Sequence, residues 1–436
     1  MRPKRLKLLV IALVFLLSGC AESQSLYALP RTGGAEEGRL EILESMTAGD
    51  AALLTPDDGC QLRRTNLAGG EREYTVAFLG DGNTNATLCL LPGEGEEVQT
   101  FSCAGTEVST VLTEDLTGDG IPELLVLSGL PGVSAQVLQV YGSKEGTVEE
   151  LFSEPCRHLE LYDLKGDGIL ELYCIGDNGS RCTVTTYLSP DGVPVRTDPL
   201  PMWFSYENMT RISTGRMSDG TEVLLITGIL EDGNLYTEPI RALQNNVESL
   251  SGAPHEPVSG LLQVPVRGHY VYPQDIDGDG DTDFPAAREL PRYDAGSTVQ
   301  YVIDWYDFTE SGLQGVSTVT YHNFSGGWYL KFPETWWTDI TIRETDLTTT
   351  LSTVTVYRLT EGKAEEFLTV YEVEGEDRQA FVEQEDLTIL RSDTERTLAL
   401  GLSQKAQRLD ETVTTASIAE RFFLLGEEQD ISGNAE

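Results

Sequence analysis

A turn that keeps returning constrains this chain more than any other feature. Asp115-Leu-Thr-Gly-Asp119-Gly120-Ile-Pro-Glu123 leads into an apolar run, and the pattern recurs as Asp163-Leu-Lys-Gly-Asp167-Gly168-Ile-Leu-Glu171. It returns as Asp275-Ile-Asp-Gly-Asp279-Gly280-Asp-Thr-Asp283. Simplified copies at Ser218-Asp219-Gly220-Thr-Glu222 and Gly69-Gly70-Glu71-Arg-Glu73 complete a series whose corner glycines lie at 70, 120, 168, 220 and 280. The spacings are 50, 48, 52 and 60 residues. One small antiparallel sheet per repeat, entered each time through a turn, gives a period of this length.

The segments between corners agree. Residues 137–141, 182–187 and 299–305 carry β-branched or aromatic side chains at alternate positions, and Pro190-Asp191-Gly192 and residues 231–234 supply turns. No helical stripe of useful length interrupts them. The expected fold is mainly β, a β-propeller over residues 40–325. These corners resemble the VCBS/FG-GAP repeats of integrin-type propellers, whose blades carry Asp-x-[Asp/Asn]-Gly-Asp-Gly-x-x-[Asp/Glu] loops. The resemblance implies one blade per corner. Five corners are fewer than the roughly seven blades common in that family, so blade number and ring closure stay open.

The corners also carry the cation chemistry. Calcium takes several hard oxygens at short spacing, and alternate aspartates around a glycine bend supply them. Asp275, Asp277, Asp279 and Asp283 stand at loop positions 1, 3, 5 and 9, with Gly280 at 6 and the Asp281 carbonyl at 7. One structural Ca2+ is expected there. Asp115, Thr117, Asp119 and Glu123 form a weaker set with three carboxylates. At the next corner Lys165 replaces the second ligand, and Asp163, Asp167 and Glu171 are expected to use its ammonium instead of a metal. The corners at Gly70 and Gly220 lack the ligand set.

Arg2, Lys4, Arg5 and Lys7 precede a short apolar run that ends in Leu17-Ser18-Gly19-Cys20. That arrangement resembles the signal peptide and lipobox of bacterial lipoproteins. The resemblance implies a leader over 1–19, lipidation at Cys20, and an extracytoplasmic protein whose membrane partner is reached through the lipid. Residues 20–39 read as a flexible tether. The chain has 30 basic and 71 acidic residues, a formal charge of −41. A polyanion of that size repels nucleic acid.

The six remaining cysteines, Cys60, Cys89, Cys103, Cys156, Cys174 and Cys182, allow many pairings, and a fully reduced set is the competing state. Cys174 and Cys182 flank a turn-rich stretch and make the favoured disulfide.

Beyond 325 no further Asp-Gly corner occurs. Strands are expected near 338–345, 351–358, 365–373, 386–391 and 396–402, with helices over 377–385 and 412–425, giving a small α+β domain over 326–426 and an acidic tail over 427–436. The extended Phe332-Pro333-Glu-Thr-Trp336 ahead of this sheet weakly resembles PsbP-like domains. Trp336 and Trp337 are expected in its core.

Catalytic signatures are missing. His158, His255, His269 and His322 stand alone in the sequence, and neither a nucleophile elbow nor a phosphate loop is present. The functional expectation is a non-catalytic surface binding or scaffold module for a protein or glycan ligand. The alternative is a carbohydrate-active enzyme, a polysaccharide lyase or hydrolase, on a propeller scaffold.

Overall fold

The computed structural model describes residues 34–47, 49–70, 72–93, 97–256, 263–309, 312–360, 363–409 and 411–426. The leader, Cys20, the first part of the expected tether and the acidic tail lie outside the described residues. Among the described residues strands hold 50% and helices 8%, so the fold is mainly β. Among the described residues no helix is long and apolar enough to cross a membrane.

Two compact units are present. The first holds the described residues through Asp163 together with Asp167–Gly176 and Thr186–Arg196; the second holds Leu164–Gly166, Asp177–Thr185 and the rest from Thr197.

In the first unit, Tyr74–Gly80 is the centre of a five-stranded sheet, with Thr87–Leu91 and then Gln99–Ser102 on one side and Ala52–Leu53 and Leu62–Thr65 sharing the other. Glu107–Glu114, Glu123–Gly129, Gln136–Lys144 and Thr147–Cys156 follow as a meander in chain order. His158–Tyr162 against Glu171–Asp177 begins the next sheet. The corners at 115–123, 163–171 and 218–222 each join the first strand of a sheet to its second, whereas that at 275–283 leads into the first strand of its sheet. The second strand is the most deeply covered: Glu123–Gly129 is buried at every residue. Its two faces serve different cores. Leu124 and Val126 pack with Tyr74, Val76 and Phe78 of the preceding sheet, whereas Leu125 and Leu127 pack with Leu172 and Cys174 of the following one. Burial on both faces explains why these strands read as continuous apolar runs instead of alternating ones.

In the second unit, Met209–Arg216, Glu222–Ile229, Leu235–Ala242 and Val247–Ser249 form another meander. Next come Phe284–Glu289, Tyr301–Thr309, Gly312–Asn323 and Trp328–Lys331, to which Phe422–Leu424 is added as a fifth strand. The last sheet runs Ile340–Thr348, Leu351–Thr360, Lys363–Glu374, Arg396–Leu402, Thr388–Ser392. Trp336 is buried in the core that this sheet shares with the one before it, and Trp337 packs against the same core.

Three expectations meet different structure. Residues 34–39, read as tether, begin the helix Gly34–Met46, from which Arg39 donates to the Pro92 carbonyl at 2.9 Å. The helix expected over 412–425 is instead the short helix Thr415–Ala419 followed by the strand Phe422–Leu424. Phe422 meets Trp328 at 5.2 Å and Phe423 meets Tyr329 at 5.0 Å, so adjacent aromatics face opposite sides of a sheet, a period of 2 instead of 3.6. The boundary expected at 325/326 falls between Gly312–Asn323 and Trp328–Lys331, which are paired neighbours in one sheet.

Candidate functional site

The loop from Asp275 to Asp283 is built around its first aspartate. Asp275 accepts the Gly278 and Asp279 N–H groups on Oδ1, at 2.7 and 3.1 Å, and the Gly280 N–H on Oδ2 at 3.0 Å. Asp277 Oδ1 accepts from the Asp279 N–H, and Asp279 Oδ1 from the Asp281 N–H. Such a tight wrap needs left-handed backbone, and Gly278 and Gly280 adopt φ of 89° and 92°. Asp283 closes the loop from the opposite side, accepting the Ile276 N–H at 3.1 Å and the Ser317 hydroxyl at 2.5 Å.

One carboxylate oxygen each from Asp275, Asp277 and Asp283 lies within 4.8 Å of the others. Asp279 and Asp281 stand outside that cluster, and Asp281 faces Arg216 at 3.5 Å. Asp283 is 1% exposed. Burial raises its carboxyl to about 7 despite the two donors, and Asp307 and Asp277 push the same way. Burial, then the charge of Asp279, also raises Asp277. Converging hard oxygens whose negative charge is disfavoured by burial and by each other are what a divalent cation relieves, so the donor set fits such an ion. Sequence reading missed Ser317 and Asp307, which approach the loop from later strands and carry no local signal.

The other corners repeat the wrap. Asp115 accepts from Gly118 at 2.7 Å and Gly120 at 2.8 Å, Asp119 from Ile121, and Glu123 from Leu116 at 2.8 Å. Burial raises Glu123 to about 7. This set does not converge to metal spacing. The corner bearing Lys165 does: Asp163, Asp167 and Glu171 bring carboxylate oxygens within 4.8 Å of one another. Counting ligands along the sequence therefore ranked these two corners differently from their geometry. Among the described residues, this cluster and that of Asp275, Asp277 and Asp283 are the two groups of three or more such side chains.

The expected Cys174–Cys182 disulfide is not formed, and all six described cysteines are free thiols. Cys174 instead hydrogen-bonds with Cys156, its neighbour in the same core, from which Cys182 is absent. The histidines are not all isolated. His158 meets Glu160 at 2.6 Å and His255 meets Asp232 at 3.0 Å, while His269 and His322 both stack on Phe324, each with ring centroids 5.7 Å apart.

No protein-family model and no curated protein matches this chain. Among solved structures it is similar to an exo-β-1,3-galactanase from Phanerochaete chrysosporium, at 12% identity and a TM-score of 0.27 over 74% of this chain and 79% of that one. It is also similar to the AfRom2 CNH domain, at 9% identity and a TM-score of 0.24 over 81% of this chain and 99% of that one. These likenesses are too distant to carry an argument about function.

Proposed function

We propose that this protein is a lipid-anchored, extracytoplasmic binding or scaffold module of VCBS/FG-GAP type, whose propeller-like blades are tied together by corner loops, with calcium at the loop from Asp275 to Asp283. The observation that carries the reading is the convergence of Asp275, Asp277 and buried Asp283 in a loop whose pattern recurs along the chain. Contacts between successive corners support it. A Cβ on Gly69 would lie 2.7 Å from Ile121, and one on Gly118 would lie 2.7 Å from Ile169. In the second unit the Arg216 N–H donates to Thr282 Oγ1 at 3.0 Å, and the Thr282 N–H donates to the Arg216 carbonyl at 2.7 Å. Within each unit, neighbouring corners thus touch.

Asp275, Asp277 and Asp283 would hold the ion, which supplies charge neutralisation and pins the loop; no catalytic step is assigned to it. Ca2+ at about 100 times Kd adds about 2.7 kcal/mol to the folded state, which for a chain this large raises the melting temperature by about 2–4 °C. Asp277→Ala should remove most of that shift. Magnesium, which demands a tighter octahedron, should replace calcium poorly. Equal melting temperatures in EGTA and in millimolar calcium would return the loop to a capped turn without metal. For the anchor, Cys20→Ala should abolish fatty-acid labelling and release the protein from the membrane fraction; persistent labelling would refute the lipobox.

A further inference from the structure

A cleft in the second unit, separate from the cation loops, has the makings of a ligand site. Its volume is about 300 Å³, and it opens between the strands Tyr301–Thr309, Gly312–Asn323 and Ile340–Thr348. Tyr301 and Phe324 form its rim and are 37% and 46% exposed, unusual for large rings. His269 stands between them, tilted 59° to Tyr301 at 5.2 Å and nearly parallel to Phe324. The polar wall is Gln300, Asn323 and Glu344.

These groups are held in place. Asn323 Oδ1 accepts the Ser325 hydroxyl at 2.8 Å and the Gly326 N–H at 2.7 Å, which fixes the turn that carries Phe324 and leaves the amide N–H groups as donors. Glu344 Oε1 accepts the hydroxyl of buried Tyr321 at 2.5 Å, leaving Oε2 as an acceptor. Behind the rim, His322 stacks on Tyr329 at 4.9 Å and Tyr329 on Phe423 at 5.0 Å. The rim therefore rests on rings locked by cross-strand pairing, and little ordering cost remains for a ligand.

We infer that this cleft binds one neutral pyranose ring of a glycan, with its C–H face against Tyr301 and its hydroxyls toward Asn323, Gln300 and Glu344. A sugar offers an apolar face and a rim of groups that both donate and accept, matching a wall of ring, amide and carboxylate. Acidic sugars are disfavoured by Glu344 and by a chain of net charge −41. His269 and His322 stack over Phe324, so Tyr301 is the ring whose face meets the ligand. The volume suits one ring. This inference deepens the binding-module reading by naming a ligand class, and its test leaves the cation loops untouched, so either can fail alone.

The test is saturation-transfer NMR on the full chain in detergent, with methyl glucoside, methyl galactoside, methyl N-acetylglucosaminide, galacturonate and choline as separate probes. At least one neutral glycoside should give a saturable signal. Tyr301→Ala and Phe324→Ala should each weaken it at least tenfold, and Glu344→Gln should weaken it less, all with unchanged melting temperature. Tyr301→Phe, which keeps the ring, should bind like the parent. The inference is overturned if no neutral glycoside binds, if only galacturonate or choline does, or if binding survives Tyr301→Ala and Phe324→Ala.

Discussion

Gly118 and Gly120 sit two residues apart in one corner and both adopt left-handed backbone, with φ of 76° and 81°, yet a methyl group would meet different surroundings at each. At Gly120 it would find open space; at Gly118 it would press on Ile169. Gly120→Ala should therefore cost only the conformational term, about 1–2 kcal/mol, and Gly118→Ala about 1–3 kcal/mol more from overpacking. Adding Ile169→Ala should recover part of the excess for Gly118 and none for Gly120, a coupling that denaturant unfolding of the double-mutant cycle would reveal. Glu238 offers a pH test away from the loops. It is 1% exposed, accepts the Trp203 N–H at 2.7 Å, and burial raises its carboxyl to about 7. Below the usual carboxylate range both folded and unfolded chains hold the proton, so Glu238 costs nothing there. Between about 4.5 and 7 only the folded chain holds it, and stability falls as pH rises, by a total on the order of 3 kcal/mol. Glu238→Gln should match the parent in urea unfolding near pH 4 and exceed it near pH 8; identical pH slopes would refute the assignment. The sequence made the aspartates of the corners legible, because turn chemistry is local. It could not reveal Ser317, Asp307 or Glu238, whose roles depend on partners from distant strands.

Within elements, legibility followed periodicity. The strands from Ile340 to Leu402 were expected within a few residues of where they lie, since their alternation survives in a sheet with one exposed face. The segment 412–425 was misread because Phe422-Phe423 suits either a helix face or both faces of an edge strand, and only the partners Trp328 and Tyr329 decide. The helix Gly34–Met46 escaped because its glycines and glutamates look like linker. If Phe422–Leu424 completes its sheet as described, Phe422→Ala should cost about 3–5 kcal/mol, as for any large core truncation. A fragment ending at 325 should fail to fold cooperatively, because Gly312–Asn323 would lose its partner Trp328–Lys331. Limited proteolysis that released a stable fragment ending near 325 would contradict both statements.

At the scale of the whole molecule, 71 acidic against 30 basic residues make charge a general stability variable. Monovalent salt should raise the melting temperature by screening self-repulsion, since the Debye length is only about 3 Å at 1 M. That rise should be the same in Asp277→Ala as in the parent, whereas the calcium-dependent rise should not; calorimetry in both salts separates the diffuse effect from the local one. The succession of sheets was legible from the period, because a turn every fifty or so residues leaves few other arrangements. The joining of Phe422–Leu424 to a sheet that begins at Phe284 was not, because nothing local announces so distant a return. That return also sets a schedule. During synthesis Trp328–Lys331 is complete long before Phe422 exists, and at about 5–20 residues per second its outer edge waits on the order of 5–20 s for its partner. An open strand edge is a template for pairing with other chains. For that interval a folded nascent chain would be self-adhesive, whereas one kept unfolded until its last strand had been made would never present the edge at all.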